Sequence, residues 1–111
     1  MKGYDIMIEQ KFEMTLKSEK IVEKVIQDEN LNYLHMVLPE NDSLPEHYTN
    51  AILYMTVLKG ELSIQLNDQE HKEYNAGSVI KIPYNTKMNV KNLHEDTLEL
   101  IVIKIPERKN Q

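Results

Sequence analysis

Two stretches decide how this chain reads. Pro39 to Gly60 runs P-E-N-D-S-L-P-E-H-Y-T-N-A-I-L-Y-M-T-V-L-K-G, and Gly77 to Asn92 runs G-S-V-I-K-I-P-Y-N-T-K-M-N-V-K-N. In the first, Ala51 to Leu58 is apolar on both parities: Leu53, Met55 and Val57 on one, and Ile52, Tyr54 and Leu58, with Thr56 among them, on the other. Alternate residues of a strand face opposite sides, so a strand apolar on both is covered on both. In a chain of 111 residues, one cover is a barrel interior and the other a second subunit. In the second stretch, Val79 to Ile82 runs into Pro83, which cannot donate to a ladder. A Pro-led turn at Tyr84-Asn85-Thr86 then leads to a short strand at Met88 and Val90.

Further strands flank this core. Ile21 to Ile26 is rich in β-branched residues and closes on the turn cluster Asp28-Glu29-Asn30. A helix capped by Ser18 is the competing reading, and the shortness of the run favours a strand. Leu31 to Leu38 stops at Pro39, and Asn41 sits in the following loop where a left-handed backbone is tolerated. Leu62, Ile64 and Leu66 alternate with polar residues, Asn67-Asp68-Gln69 is a hairpin turn, and His71, Glu73 and Tyr74 belong to a polar, edge-like strand. Leu98 to Ile105 is the last strand, closed by Pro106. At the N-terminal end, Ile6 and Ile8, then Phe12, Met14 and Leu16, alternate and predict further extended segments. Roughly eight to ten short strands and no long helix predict an all-β sandwich or barrel. The predicted organisation is one domain, with an N-terminal extension at 1–19, a barrel at 20–106 and a tail at 107–111.

Thirteen Lys and Arg against eighteen Asp and Glu give a net charge of −5. An acidic chain repels phosphate backbones, so no nucleic-acid partner is expected. The basic cluster Lys104, Arg108 and Lys109 reads as a solvated tail. No apolar run approaches the ~18 residues of a membrane span, so no membrane partner is expected. With no cysteine and no secretory pattern at the N-terminus, a cytoplasmic protein is the expectation. The lack of cysteine also removes disulfides, thiolate ligands and a cysteine nucleophile. No G-x-S-x-G, H-E-x-x-H or G-x-G-x-x-G occurs.

The order and spacing of these residues resemble the cupin superfamily over about residues 20–105. That family's first motif places a Gly, a His-x-His pair, a Glu and a closing Gly; its second places a Gly, Pro-x-Gly, a His and an Asn. Here Asn41, His47, Thr49, Leu53 and Gly60 occupy the first set, and Gly77, Pro83, Asn85, Met88 and Asn92 the second. The resemblance implies a cupin-type double-stranded β-helix, a jelly-roll barrel. In metal-holding relatives three imidazoles and one carboxylate are the ligands, a set suited to transition metals. Of those four positions only His47 keeps its type; Thr49, Leu53 and Met88 replace the rest. Four good ligands give roughly 10–16 kcal/mol of apparent binding for a structural zinc, which one histidine and a thioether do not approach. Burying Leu53 and Met88 would instead stabilise the fold by roughly 1.5–3 kcal/mol each. No metal and no cofactor are therefore expected.

The resulting expectation is a metal-free small cupin, homodimeric, that binds a small, partly apolar ligand or serves as a non-catalytic module. His47, Thr49, Leu53, Met55, Tyr84 and Met88 are the candidate ligand-binding residues. The alternative is an enzyme, an isomerase, epimerase or dioxygenase-like cupin. It would use His47 as acid/base, with Glu40, Asp42 or Glu46 beside it, or as a metal ligand with His35. A barrel filled solid is a third reading. Each candidate also has a plain structural role. Met36, Met55 and Met88 fill core gaps, Asn85 supplies a turn angle, and His35 is a satisfied core histidine. His71 and His94 lie in polar, exposed contexts.

Overall fold

The computed structural model describes residues 8–106. They form nine strands: β1 (Ile21–Gln27), β2 (Asn32–Leu38), β3 (His47–Tyr48), β4 (Ala51–Lys59), β5 (Glu61–Leu66), β6 (Lys72–Asn75), β7 (Val79–Ile82), β8 (Lys87–Lys91) and β9 (Leu98–Pro106). All pairings are antiparallel. A five-stranded sheet has the order β1-β2-β9-β4-β7, and a four-stranded sheet the order β3-β8-β5-β6. The expected strands appear where the apolar runs and turn residues place them. The two-residue strand β3 is too short to leave a periodic signal.

Register turns the alternation into two faces. Val22, Met36, Leu100 and Val57 form one cross-strand row of the five-stranded sheet; Lys24, Leu34, Val102, Met55 and Ile80 form the next. These rows face the four-stranded sheet, whose Leu62, Ile64, Met88 and Val90 complete the core. The outer face of β4 carries Ile52, Tyr54, Thr56 and Leu58, as the both-sided pattern predicts. Tyr54 and Leu58 remain 37% and 46% exposed.

The motif residues that are not chemical hold the loops. Asn92 is fully buried and donates from Nδ2 to the Leu38 and Asp96 carbonyls, both at 2.8 Å, while its Oδ1 accepts from the His94 backbone N–H at 3.0 Å. One side chain thus joins the end of β2 to the turn before β9. Asn41 and Asn85 adopt φ of 67° and 61°, the left-handed angle expected of both. Thr49 binds its partner turn from both sides. Its hydroxyl donates to the Pro83 carbonyl at 2.8 Å and accepts from the Thr86 N–H at 2.8 Å.

The alternation at Phe12, Met14 and Leu16 does not form a strand, and Ile6 lies outside the described residues. Residues 8–20 instead lie against the sheet through a side chain: Thr15 donates its N–H and its hydroxyl to Glu23 at 2.8 and 2.7 Å. Leu16 stays 91% exposed, so its apolar character is not spent on the core.

Gly60 links β4 to β5 at φ +80°, and a Cβ there would lie 2.5 Å from the Thr97 carbonyl oxygen. Gly77 has φ +95° with nothing within 4 Å of such a Cβ. Strain at positive φ costs about 1–3 kcal/mol, and only Gly60 adds a backbone collision. Urea denaturation should therefore show Gly60→Ala losing more stability than Gly77→Ala, with the second loss within that strain range.

Candidate functional site

Between the sheets lies a cavity of about 540 Å³, a size typical of small-molecule sites. Leu34, Met36, Leu53, Met55, Met88 and Val102 form its apolar wall. Val22 and Lys24 of β1, and Leu44, Pro45 and His47 ahead of β4, stand at its open side. β1 explains the opening. Val22 shares a row with the buried Met36, yet on the edge strand of its sheet it is 54% exposed.

Four of the six candidate residues come together here: His47, Leu53, Met55 and Met88. Leu53 and Met88 are 1% and 3% exposed, and His47 pairs with Met88 across β3 and β8. Thr49 and Tyr84 do not line this cavity. The Thr49 hydroxyl is committed to the 83–86 turn, and Tyr84 is exposed on that turn, away from the cavity wall. His47 Nδ1 donates to the Pro45 carbonyl at 2.9 Å, which leaves Nε2 free. None of the three acids expected beside it is its partner, and Asp42 instead meets Lys20 at 3.5 Å.

The donors at the four metal positions do not fit a transition metal. One exposed imidazole stands with a buried leucine, a thioether and a hydroxyl already bonded twice. His35 does not complete the set, because it projects from the opposite face of the five-stranded sheet. There it is fully buried, with Nδ1 3.0 Å from Glu23 Oε1 and Nε2 2.6 Å from Glu99 Oε2.

The resemblance drawn from the motif spacing is matched by comparison with known proteins. The cupin domain family model matches residues 34–104.

The chain belongs to the cupin family. An uncharacterised protein of Methanocaldococcus jannaschii is 36% identical over 104 residues, spanning 93% of this chain and 90% of that protein. The crystal structure of an RmlC-like cupin family protein with a double-stranded β-helix fold, from the same organism, superposes with a TM-score of 0.87. It is 37% identical and covers 90% of this chain and 93% of its own. The cupin domain of Schizosaccharomyces pombe Cnp3 shares the fold at 14% identity, with a TM-score of 0.71 over 78% of this chain and 60% of that chain. No helix among the described residues is long and apolar enough to cross a membrane.

Two polar clusters in this cupin were not anticipated. His94 is half-buried on the outer face of the four-stranded sheet, not exposed as its turn context suggests. Its Nε2 lies 2.6 Å from Glu73 Oε2 and 3.7 Å from Glu61 Oε2. The hydrogen bond to Glu73 holds the imidazole's pKa above its ordinary value, and that bond and the Ser63 hydroxyl hold Glu73 below. In the His35 cluster, burial alone would lower the imidazole's pKa; the bonds to Glu23 and then Glu99 outweigh it and raise it. The Thr15 N–H, then His35 and the Thr15 hydroxyl, hold Glu23 down to about 2. Both acceptors are carboxylates, so imidazolium, with an N–H at each nitrogen, satisfies both. The cluster spans β1, β2 and β9, and no local motif announces it.

The pH dependence follows from these directions. Stability from a raised His35 is complete below its unfolded value of 6.5 and is lost as pH rises through the folded value. Stability from Glu23 is complete above 4.5 and is lost as pH falls toward about 2. The stability difference between wild type and His35→Gln should therefore peak between pH 4.5 and 6.5. Urea denaturation across a pH series measures it.

Proposed function

We propose that this cupin binds a small, partly apolar ligand in the barrel without a metal. The supporting observation is the cavity of about 540 Å³ walled by leucine, methionine and valine, with Leu53 and Met88 where family ligands would stand. Burial of apolar ligand surface contributes roughly 25 cal/mol per Å² before the cost of immobilisation. Three flexible thioethers, Met36, Met55 and Met88, adapt the wall to different ligand shapes. Acid/base catalysis has less support, because among the described residues no carboxylate is hydrogen-bonded to His47. In the same reading, a second copy of the chain covers Ile52, Tyr54 and Leu58 on the outer sheet face.

Methyl-labelled methionine NMR tests the ligand reading. Amphipathic and apolar compounds should shift the Met36, Met55 and Met88 methyl signals and leave Met14 unmoved. Met88→Phe, which narrows the cavity, should reduce binding while the protein still melts cooperatively. A panel that moves none of these methyls would contradict the reading. Light scattering tests the dimer: a dimer at micromolar concentration should become a monomer in Tyr54→Glu, and a wild-type monomer would contradict the interface.

A further inference from the structure

Lys24 and Lys104 break the apolar wall of the cavity. Both side chains are on the inward face: Lys24 pairs with Leu34 and Lys104 with Leu53, each in an inward row. Both line the cavity of about 540 Å³. Together with Leu34 they also line an adjoining chamber of about 240 Å³, completed by Asn32, Asn50, Ala51 and Pro106. The two spaces thus share Lys24, Leu34 and Lys104 as a common wall, one greasy and one polar.

Three observations make this wall unusual. Among the described residues neither lysine has an acidic partner, although the chain carries a net charge of −5. Burial, and then the neighbouring Lys24 ammonium, push the Lys104 ammonium below the ordinary lysine range. The amide oxygen of Asn32, in the same chamber, is the one buried side-chain polar atom without a hydrogen-bond partner among the described residues. Lys24 is exposed and hydrated, whereas Lys104 is half-buried, so its charge is the one that burial beside an apolar space disfavours unless something answers it.

From this geometry we infer that the ligand is an amphipathic monoanion, its carboxylate held by Lys24 and Lys104 in the polar chamber and its apolar body between Leu53, Met55 and Met88. The inference rests on the reading of the barrel as an apolar binding site. A carboxylate offsets one of the two ammonium charges and accepts a hydrogen bond from each lysine, and bonds between ionised partners are about twice as strong as neutral ones. Neutral or cationic amphiphiles gain nothing from this wall.

Octanoate, octanol and octylammonium separate the charge from the chain. Titrations followed at the Met55 and Met88 methyls should show octanoate binding at least about ten-fold more tightly than octanol, and octylammonium most weakly. Lys24→Met with Lys104→Met should bring octanoate down to the octanol affinity and leave octanol unchanged. Because the double substitution removes unpaired charge, its melting temperature should stay level or rise, which shows that it folds. Equal affinities for octanoate and octanol, unaffected by the substitutions, would overturn the anion inference and leave the apolar site standing. No response to any of the three would overturn both.

Discussion

Five strands pack against four, and the surplus strand sets the shape of the interior. Leu34, Met36, Leu53, Met55 and Met88 lie where the two sheets overlap, and they are buried. β1 is the edge strand of its sheet, and its inward Val22 and Lys24 line the cavity while remaining exposed. A cavity with an apolar floor and a charged lip follows from that mismatch in width.

The framework and the chemistry of the fold have separated in this cupin. Asn92, Gly60, Gly77 and Pro83 still perform geometric tasks: bridging a loop, turning at positive φ, ending a ladder. Thr49 has passed from a chemical position to a mechanical one, holding the 83–86 turn with both its donor and its acceptor. Leu53 and Met88 have become wall. Two clusters of ionisable groups lie on the outer sheet faces, where His35 sits between Glu23 and Glu99, and His94 beside Glu73. Those clusters fasten strands and the segment near Thr15; they do not face the cavity.

Much of this was legible in the sequence, for physical reasons. Strand period, proline stops and asparagine turns are local properties, and they locate the strands and the left-handed residues Asn41 and Asn85. The apolar residues Leu53 and Met88 at the ligand positions were read from the resemblance to the cupin motifs. What stayed hidden depends on phase and on distance along the chain. A bulge between Lys24 and Ile26 shifts the alternation of β1, so the inward direction of Lys24 is obscured. Lys104 lies close in sequence to Arg108 and Lys109, and its place looked like a basic tail; β9 turns it inward opposite Leu53. The His35 cluster joins residues 12 and 64 positions apart, and a two-hydrogen-bond side chain such as Thr49 looks the same in sequence whether it lines a pocket or clamps a turn.

The inner end of the barrel is apolar at Leu53 and Met88, the positions where metal-holding relatives place ligands. Closed apolar cavities stay empty of water and take up xenon, and at the inner end of this one Leu53, Met55 and Met88 are all buried. A crystal structure determined under xenon pressure tests this directly. Xenon density between Leu53, Met55 and Met88 is the predicted result. An ordered water chain through that space, or a metal ion held by His47 with Met88, would contradict it.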